Sequence, residues 1–330
     1  MHEPIRWGIL GTGAIAKQFA RAIPHTPGAQ LLAVASRSQE GADAFGKEFD
    51  VPRRYARYED LVADPEVDVV YVASPHSEHK ANSILALQSG KHVLCEKPFC
   101  INADETREVV AVAQRQKRFL MEAMWTRYFP AMERVRALIA EGDIGEPRLL
   151  SADFGFKSDF DPTSRLFDPN FGGGSLLDVG VYPISLAFMI FGRPAINVGV
   201  AHLGSAGTDE QAGMILGYEK GELAVLHSAI RVETPQEAII NGTAGRIRIH
   251  SPWWCPSTIT VHREGSEIEA ISLPYEGNGY QYEAIEVGRC LREGLLESAL
   301  MPLNESIAIM ECMDSLRRQW GLRYPMERHR

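Results

Sequence analysis

Gly11-Thr12-Gly13-Ala14-Ile15-Ala16 is a GxGxxA run set directly after the apolar segment 5–10 and before a helical stripe of Ile15, Phe19 and Ile23. In that setting the first glycine permits a tight turn and the second admits a pyrophosphate to the backbone, while the small Ala16 lets helix and strand pack closely. The N-terminus of the helix then attracts phosphate charge. Gly11, Thr12, Gly13, Ala14 and Ile15 are therefore expected to hold a dinucleotide; a plain turn is the alternative. The second strand ends in Ser36-Arg37-Ser38, with no Asp or Glu where a ribose 2′-hydroxyl is usually held. Arg37 can stack on adenine and pair with a 2′-phosphate, with Ser36 and Ser38 adding donors. The expected cofactor is NADP rather than NAD, against the reading of Arg37 as a surface arginine.

Two further clusters carry chemistry. Glu96-Lys97-Pro98 follows a short strand, at the carboxyl edge where doubly wound sheets bind ligands, and the proline restricts the backbone of the lysine ahead of it. Gly172-Gly173-Gly174 opens a segment carrying Asp178, Gly180 and Tyr182. Asp178 and Tyr182 are four apart and share one face if the segment is helical. Alone, they read as two buried polar groups satisfying one another. His76 and His79 follow a strand end in the Ser74-Pro75-His76 turn, and without a third ligand this pair predicts no metal site.

These side chains need a frame. The first 125 residues alternate apolar strands (5–10, 31–35, 67–73, 93–95, 119–124) with helices, among them 77–89 with Gly90 as its stop and 102–116. Apolar strands with helical crossovers predict a parallel sheet covered on both faces. After a helix over 129–140 come short β-branched segments near 196–200, 214–218, 223–230, 238–241, 247–250, 259–262 and 268–273, separated by tight turns. They predict a mostly antiparallel sheet, closed by helices over 280–293 and 302–320. The fold class is thus α/β: an N-terminal Rossmann doubly wound parallel sheet (1–125) and a C-terminal α/β domain (126–330) with a large, mostly antiparallel open sheet. Two domains also suit 330 residues, 45% of them hydrophobic, since single cores stop growing near ~250–300 residues. A net charge of −9 without a long basic run argues against a nucleic-acid partner. No apolar stretch is read as long enough to span a bilayer, and no leader pattern opens the chain. Five cysteines in no metal-binding or disulfide spacing are read as core thiols of a cytoplasmic protein.

Taken together, GILGTGAIA (8–16), ASPHSEH (73–79), GKHVLCEKP (90–98) and GGSLLDVGVYP (173–183) resemble the Gfo/Idh/MocA oxidoreductase family, from Arg6 to about Gly192. The resemblance implies a Rossmann domain followed by an open-sheet domain often used for dimerisation, hence a homodimer or higher homo-oligomer. It implies that Lys97, Asp178 and the residue at 182 surround a reacting carbon. It also implies that the turn at Ser74, Pro75, His76 and His79 and the Glu96-Lys97 edge lie along the cofactor. Many members carry His where this chain has Tyr182. Tyrosine there, with the stretch Met121–Pro130, is similar to the subgroup of dihydrodiol dehydrogenases and NADP-dependent xylose dehydrogenases.

The expected activity is therefore oxidation of a secondary or anomeric hydroxyl, on a sugar such as xylose or a cyclic trans-dihydrodiol, by hydride transfer to the nicotinamide. Tyr182 is expected to take the hydroxyl proton, its pKa drawn down from about 10 by the Lys97 ammonium, with Lys97 as base the competing assignment. Asp178 would orient substrate hydroxyls or Lys97. Trp125, Phe154, Trp253 and Trp254 are candidates for an aromatic wall against a flat ring, core packing being the alternative for each. Trp125, Phe154 and Trp254 are taken as substrate contacts. Trp125, Arg127 and Arg165 are placed beside the cofactor, with Arg165 also within reach of substrate. A keto-sugar reductase and a non-catalytic NADP-binding regulator remain the alternatives.

Overall fold

The computed structural model describes residues 3–327, and the chain divides into two compact units. The first runs to Trp125 and takes in Glu276–Ile307; the second comprises Thr126–Tyr275 and the stretch from Ala308 onward. Residues 276–307, assigned from sequence to the second domain, thus fold with the first. An amphipathic pattern says that a helix has a face to bury, not which sheet will cover it.

The first unit is built on a six-stranded parallel sheet of β1 (Ile5–Leu10), β2 (Ala29–Ala35), β3 (Arg53–Tyr55), β4 (Val69–Val72), β5 (His92–Glu96) and β6 (Leu120–Ala123), in the order β3-β2-β1-β4-β5-β6. Every residue of β4 is buried, as a strand covered on both faces requires. The crossovers carry α1 (Ala14–Ala22), α2 (Gln39–Glu48), α3 (Tyr58–Ala63), α4 (His79–Gln88) and α5 (Ala103–Gln116). Asn102 caps α5 by accepting a hydrogen bond from the Glu105 amide at 2.9 Å. Past the end of α4, Gly90 takes a positive φ of 79°, a turn that glycine enters without a Cβ penalty. Strand β3 was not anticipated, since RRY shows no apolar run. Arg53 and Tyr55 hold it in place through Asp64, at 2.7 and 2.9 Å.

The second unit carries α6 (Pro130–Ala140), α7 (Val181–Phe191) and an eight-stranded sheet. Its strands are β7 (Pro147–Gly155), β8 (Ile196–Leu203), β9 (Asp209–Gly217), β10 (Leu223–Ala229), β11 (Ala238–Gly242), β12 (Gly245–Ile249), β13 (Thr258–Arg263) and β14 (Glu269–Ser272). The order is β14-β13-β12-β11-β7-β10-β9-β8, antiparallel throughout except for the parallel pair β7–β10. Strand β7, absent from the sequence reading because Pro147, Arg148, Ser151 and Asp153 break its apolar pattern, is one of the sheet's inner strands. The remaining helices are α8 (Gln281–Arg292) in the first unit and α9 (Leu303–Trp320). Contrary to the expectation from sequence, helical residues Pro169–Phe191 are long and apolar enough to cross a bilayer by composition, but 83% of their most apolar stretch is buried, which marks a core helix.

Candidate active site

In the first unit the strand order reverses between β1 and β4, the point at which open α/β sheets bind ligands beyond their carboxyl ends. Gly11 follows β1 with φ of +105°, and a Cβ there would stand 2.7 Å from the Ala73 carbonyl oxygen, so the turn needs glycine. Gly13 precedes α1, and nothing lies within 4 Å of a Cβ built on it. The first turn of α1 has no acidic residue and no side-chain cap, leaving its amides and dipole suited to an anion. These features fit a dinucleotide pyrophosphate. Across the turn Thr12 and Ser36 share a hydroxyl contact of 3.3 Å, Ser38 caps α2 by accepting from the Gly41 amide at 3.1 Å, and Arg37 is exposed beside them.

The turn after β4 is fixed from within. Asn82 donates to the Ser74 hydroxyl at 2.9 Å. His79 is fully buried, with its Nδ1 2.8 Å from the Pro98 carbonyl and its Nε2 2.9 Å from that of Ser74. Burial pulls the His79 pKa down to about 4. It acts as a strut joining the Ser74 turn to the Lys97-Pro98 edge, with His76 packed edge-on at 5.7 Å. Half-buried Lys97 follows Glu96, whose side chain accepts from the Lys97 amide at 3.2 Å and from the Tyr71 hydroxyl. Trp125 is buried and stacks on Tyr280 at 4.1 Å.

In the second unit, residues Leu176–Gly180 form a π-helical turn that leads into α7. Pro183 has no N–H to give the carbonyl of residue 179, so a regular α pattern cannot run through this point. Asp178 and Tyr182 thus lie on one continuous helical segment, whose first part is π-helical and whose second is α. Asp178 lies on the π-helical turn and is paired with Arg165 at 2.8 Å, an ion pair their separation in sequence does not reveal. Tyr182 lies at the head of α7, buried, with its ring edge-on to Phe154 at 5.1 Å. Phe154 in turn stacks on Trp254 at 5.0 Å with only 3° between the ring planes. Trp253 is fully buried and donates to the Asp153 carbonyl at 2.6 Å, so it belongs to the core. Arg127 is also buried, donating to the Ser185 hydroxyl at 3.0 Å and the Ser185 carbonyl at 2.8 Å.

The glycine cluster rests on a residue the sequence did not single out. Asp209, fully buried at the start of β9, accepts from the Ser175 hydroxyl at 2.7 Å and the Leu176 amide at 2.6 Å. A Cβ on Gly174 would fall 2.2 Å from its Oδ1. Burial raises the Asp209 pKa to about 6.

Comparison with known proteins shows the family. Residues 5–124 match a model described as an oxidoreductase family with an NAD-binding Rossmann fold, and residues 132–248 match the GFO/IDH/MocA C-terminal domain. The chain belongs to the GFO/IDH/MocA oxidoreductase family. It is an enzyme of the NAD(P)-dependent dehydrogenase kind. It is similar to trans-1,2-dihydrobenzene-1,2-diol dehydrogenase of Mus musculus, at 38% identity over 98% of this chain and 99% of that one. The Homo sapiens protein of the same name is 36% identical with the same coverage. Among solved structures, KijD10, a 3-ketoreductase from Actinomadura kijaniata in complex with NADP and TDP-benzene, superposes with a TM-score of 0.86 at 25% identity, covering 96% of this chain and 98% of that one. An aldose-aldose oxidoreductase from Caulobacter crescentus shares the fold, with a TM-score of 0.88 at 22% identity, covering 97% of this chain and 98% of that one.

Proposed function

We propose that this enzyme is an NADP-dependent dehydrogenase acting on a cyclic trans-dihydrodiol or an aldose such as xylose. The observation that carries the reading is the grouping of Tyr182 with the stacked Phe154–Trp254 pair. A hydroxyl-bearing ring lying along such a wall gains apolar and stacking contact while its oxygen meets a phenol. The Asp178–Arg165 pair adds an acceptor for a second hydroxyl. The near full-length likeness to dihydrodiol dehydrogenases supports the diol class.

Bound NADP supplies the hydride acceptor at the nicotinamide. Tyr182 takes the proton of the reacting hydroxyl, and returns it in the reverse direction. Lys97 supplies the positive charge that favours the phenolate and the developing alkoxide. Asp178 orients the substrate hydroxyls. Ser36, Arg37 and Ser38 hold the 2′-phosphate, and Gly11, Thr12, Gly13, Ala14 and Ile15 the pyrophosphate. Ser74, Pro75, His76 and Glu96 shape the ribose and nicotinamide end, while His79 and Arg127 serve by holding the backbone around them. Trp125 and Arg165 complete the binding surfaces. Reduction of a keto-sugar is the same chemistry reversed, and the likeness to a 3-ketoreductase favours keeping it as the second reading.

We further propose a homo-oligomer formed through the open sheet, in the cytoplasm, where a reducing medium suits five free cysteines. The test is turnover of NADP and of NAD with a panel of aldoses and trans-dihydrodiols, and of NADPH with the matching keto compounds. Faster turnover with a dihydrodiol or aldose, and a higher kcat/KM for NADP than for NAD, are expected. No consumption of either cofactor across the panel would overturn the assignment.

A further inference from the structure

Helix α8 carries two glutamates one turn apart with opposite surroundings. Glu286 is bound by Arg289 at 2.8 Å and by Ser298, and these charge-assisted contacts hold its carboxyl below the usual range. Glu283 is fully buried, and neither of its carboxyl oxygens has a hydrogen-bond partner among the described residues. The ionisable groups facing it are Tyr71 from β4 and Glu96 from β5, with Tyr280, at the head of its own helix, acting on Tyr71. Helix α1 presents the Phe19 ring, stacked on Tyr71 at 3.8 Å, while its Lys17 and Arg21 turn outward to Glu48. Among the described residues, burial and the Glu96 charge are what act on the Glu283 carboxyl.

Two neighbouring carboxyls in such a place cannot both be ionised, because neither charge is solvated and each repels the other. The hydrogen bonds decide which one keeps the proton. One oxygen of Glu96 accepts from the Tyr71 hydroxyl and the other from the amide of Lys97, so Glu96 is the acceptor and the carboxylate. Burial and the Glu96 charge push Glu283 the other way, far above the ordinary carboxyl range. The same surroundings raise Tyr71 and keep its phenol a donor.

We propose that Glu283 is a positioning residue held as a neutral carboxylic acid, and that by keeping the pair's proton it leaves Glu96 as the one carboxylate anchoring the Lys97 backbone. Loss of that proton to solvent at alkaline pH places a second negative charge beside Glu96 and disturbs its hold on Tyr71 and on Lys97. The kinetic part rests on the function proposed above; the protonation state does not.

The experiment uses the intact enzyme. At about pH 8 Asp209 is ionised, so an infrared C=O band of a protonated carboxylic acid is expected from Glu283 in the wild type and absent in E283Q. Its loss on alkaline titration should share one midpoint with the loss of kcat. In E283Q, which cannot ionise, turnover at neutral pH should stay within about twofold and the alkaline limb of kcat should move up by about one pH unit or more. A wild type without the band overturns the neutral acid. A band lost in E283Q with an unmoved alkaline limb overturns the positioning role. If E283Q does not fold, the wild-type titration alone decides, since separate midpoints for band and kcat also overturn it. If no substrate of the panel is turned over, the band still tests Glu283 while the functional reading fails separately.

Discussion

The Tyr182 ring packs edge-on against Phe154, on which Trp254 stacks in turn. Removing only its oxygen leaves that packing in place, so Tyr182→Phe is a clean probe of the proposed proton transfer. It should lower kcat by about 10²–10⁴-fold, with KM and the melting temperature little changed. Steady-state kinetics beside a thermal melt checks this, and retained turnover would transfer the role to Lys97. Arg37 gives a second probe, because a charged hydrogen bond to a phosphate is worth roughly 1.5–3 kcal/mol. Arg37→Ala should therefore raise KM for NADP by about tenfold or more and raise KM for NAD, which loses only the adenine stacking, by less. The glycines, Lys97, Asp178 and Tyr182 could be singled out as candidates in the sequence because each belongs to a short local motif. What His79 and Arg127 touch was not, since their partners Pro98 and Ser185 lie 19 and 58 residues away. Glu283 was not legible either, for its meaning depends on Tyr71 and Glu96, brought to it by two strands.

The β1–α1 turn shows how an element constrains a residue. With φ of +105° and a carbonyl 2.7 Å from any Cβ, Gly11→Ala strains the turn and moves the amides of α1. The expected result is a loss of about 1–3 kcal/mol in stability together with weaker NADP binding, read by denaturant melts and cofactor titration. The segment leading into α7 is held differently, by Asp209 beneath Ser175 and Leu176. The folded pKa of Asp209, near 6, lies above its unfolded value, so protonation favours the native state. That contribution is complete below the unfolded pKa and is lost as pH rises through about 6. Asp209→Asn removes this dependence. Melts at several pH values should show the wild type gaining on the variant between pH 7 and 4, by roughly 3 kcal/mol at most. Periodicity revealed most helices and the apolar strands, and it failed where another interaction holds the element. Strand β7 is polar yet secured on both sides by β10 and β11, and β3 depends on Asp64.

The chain as a whole is acidic, so a polyanionic cofactor must be held by local amides and a few placed cations rather than by a general positive field. The two-unit plan was readable from length and from the change of pattern after residue 125. The return of 276–307 to the first unit was not, because amphipathicity is blind to the identity of the surface it covers. The same alternation does report the outer face of the eight-stranded sheet. Ile196, Val198 and Val200 of β8 point outward with 64, 48 and 79% exposure. The register sets Val198 beside Ile215 and Ile215 beside Val225, and Leu223 beside Leu149. These exposed side chains form two apolar rows across neighbouring strands, where a solvated sheet face would alternate to polar residues. A second copy of the chain is the partner we propose for it, through an isologous contact in which each face covers its equal. Val198→Lys with Val200→Lys places two like charges on each side of that contact. Both positions are exposed in the single chain, so its fold should be unaffected. Light scattering should therefore find the wild type as a homo-oligomer and the double variant as a monomer with an unchanged circular dichroism spectrum. A wild type that is monomeric at micromolar concentration, or a variant that keeps the wild-type mass, would remove this face as the interface.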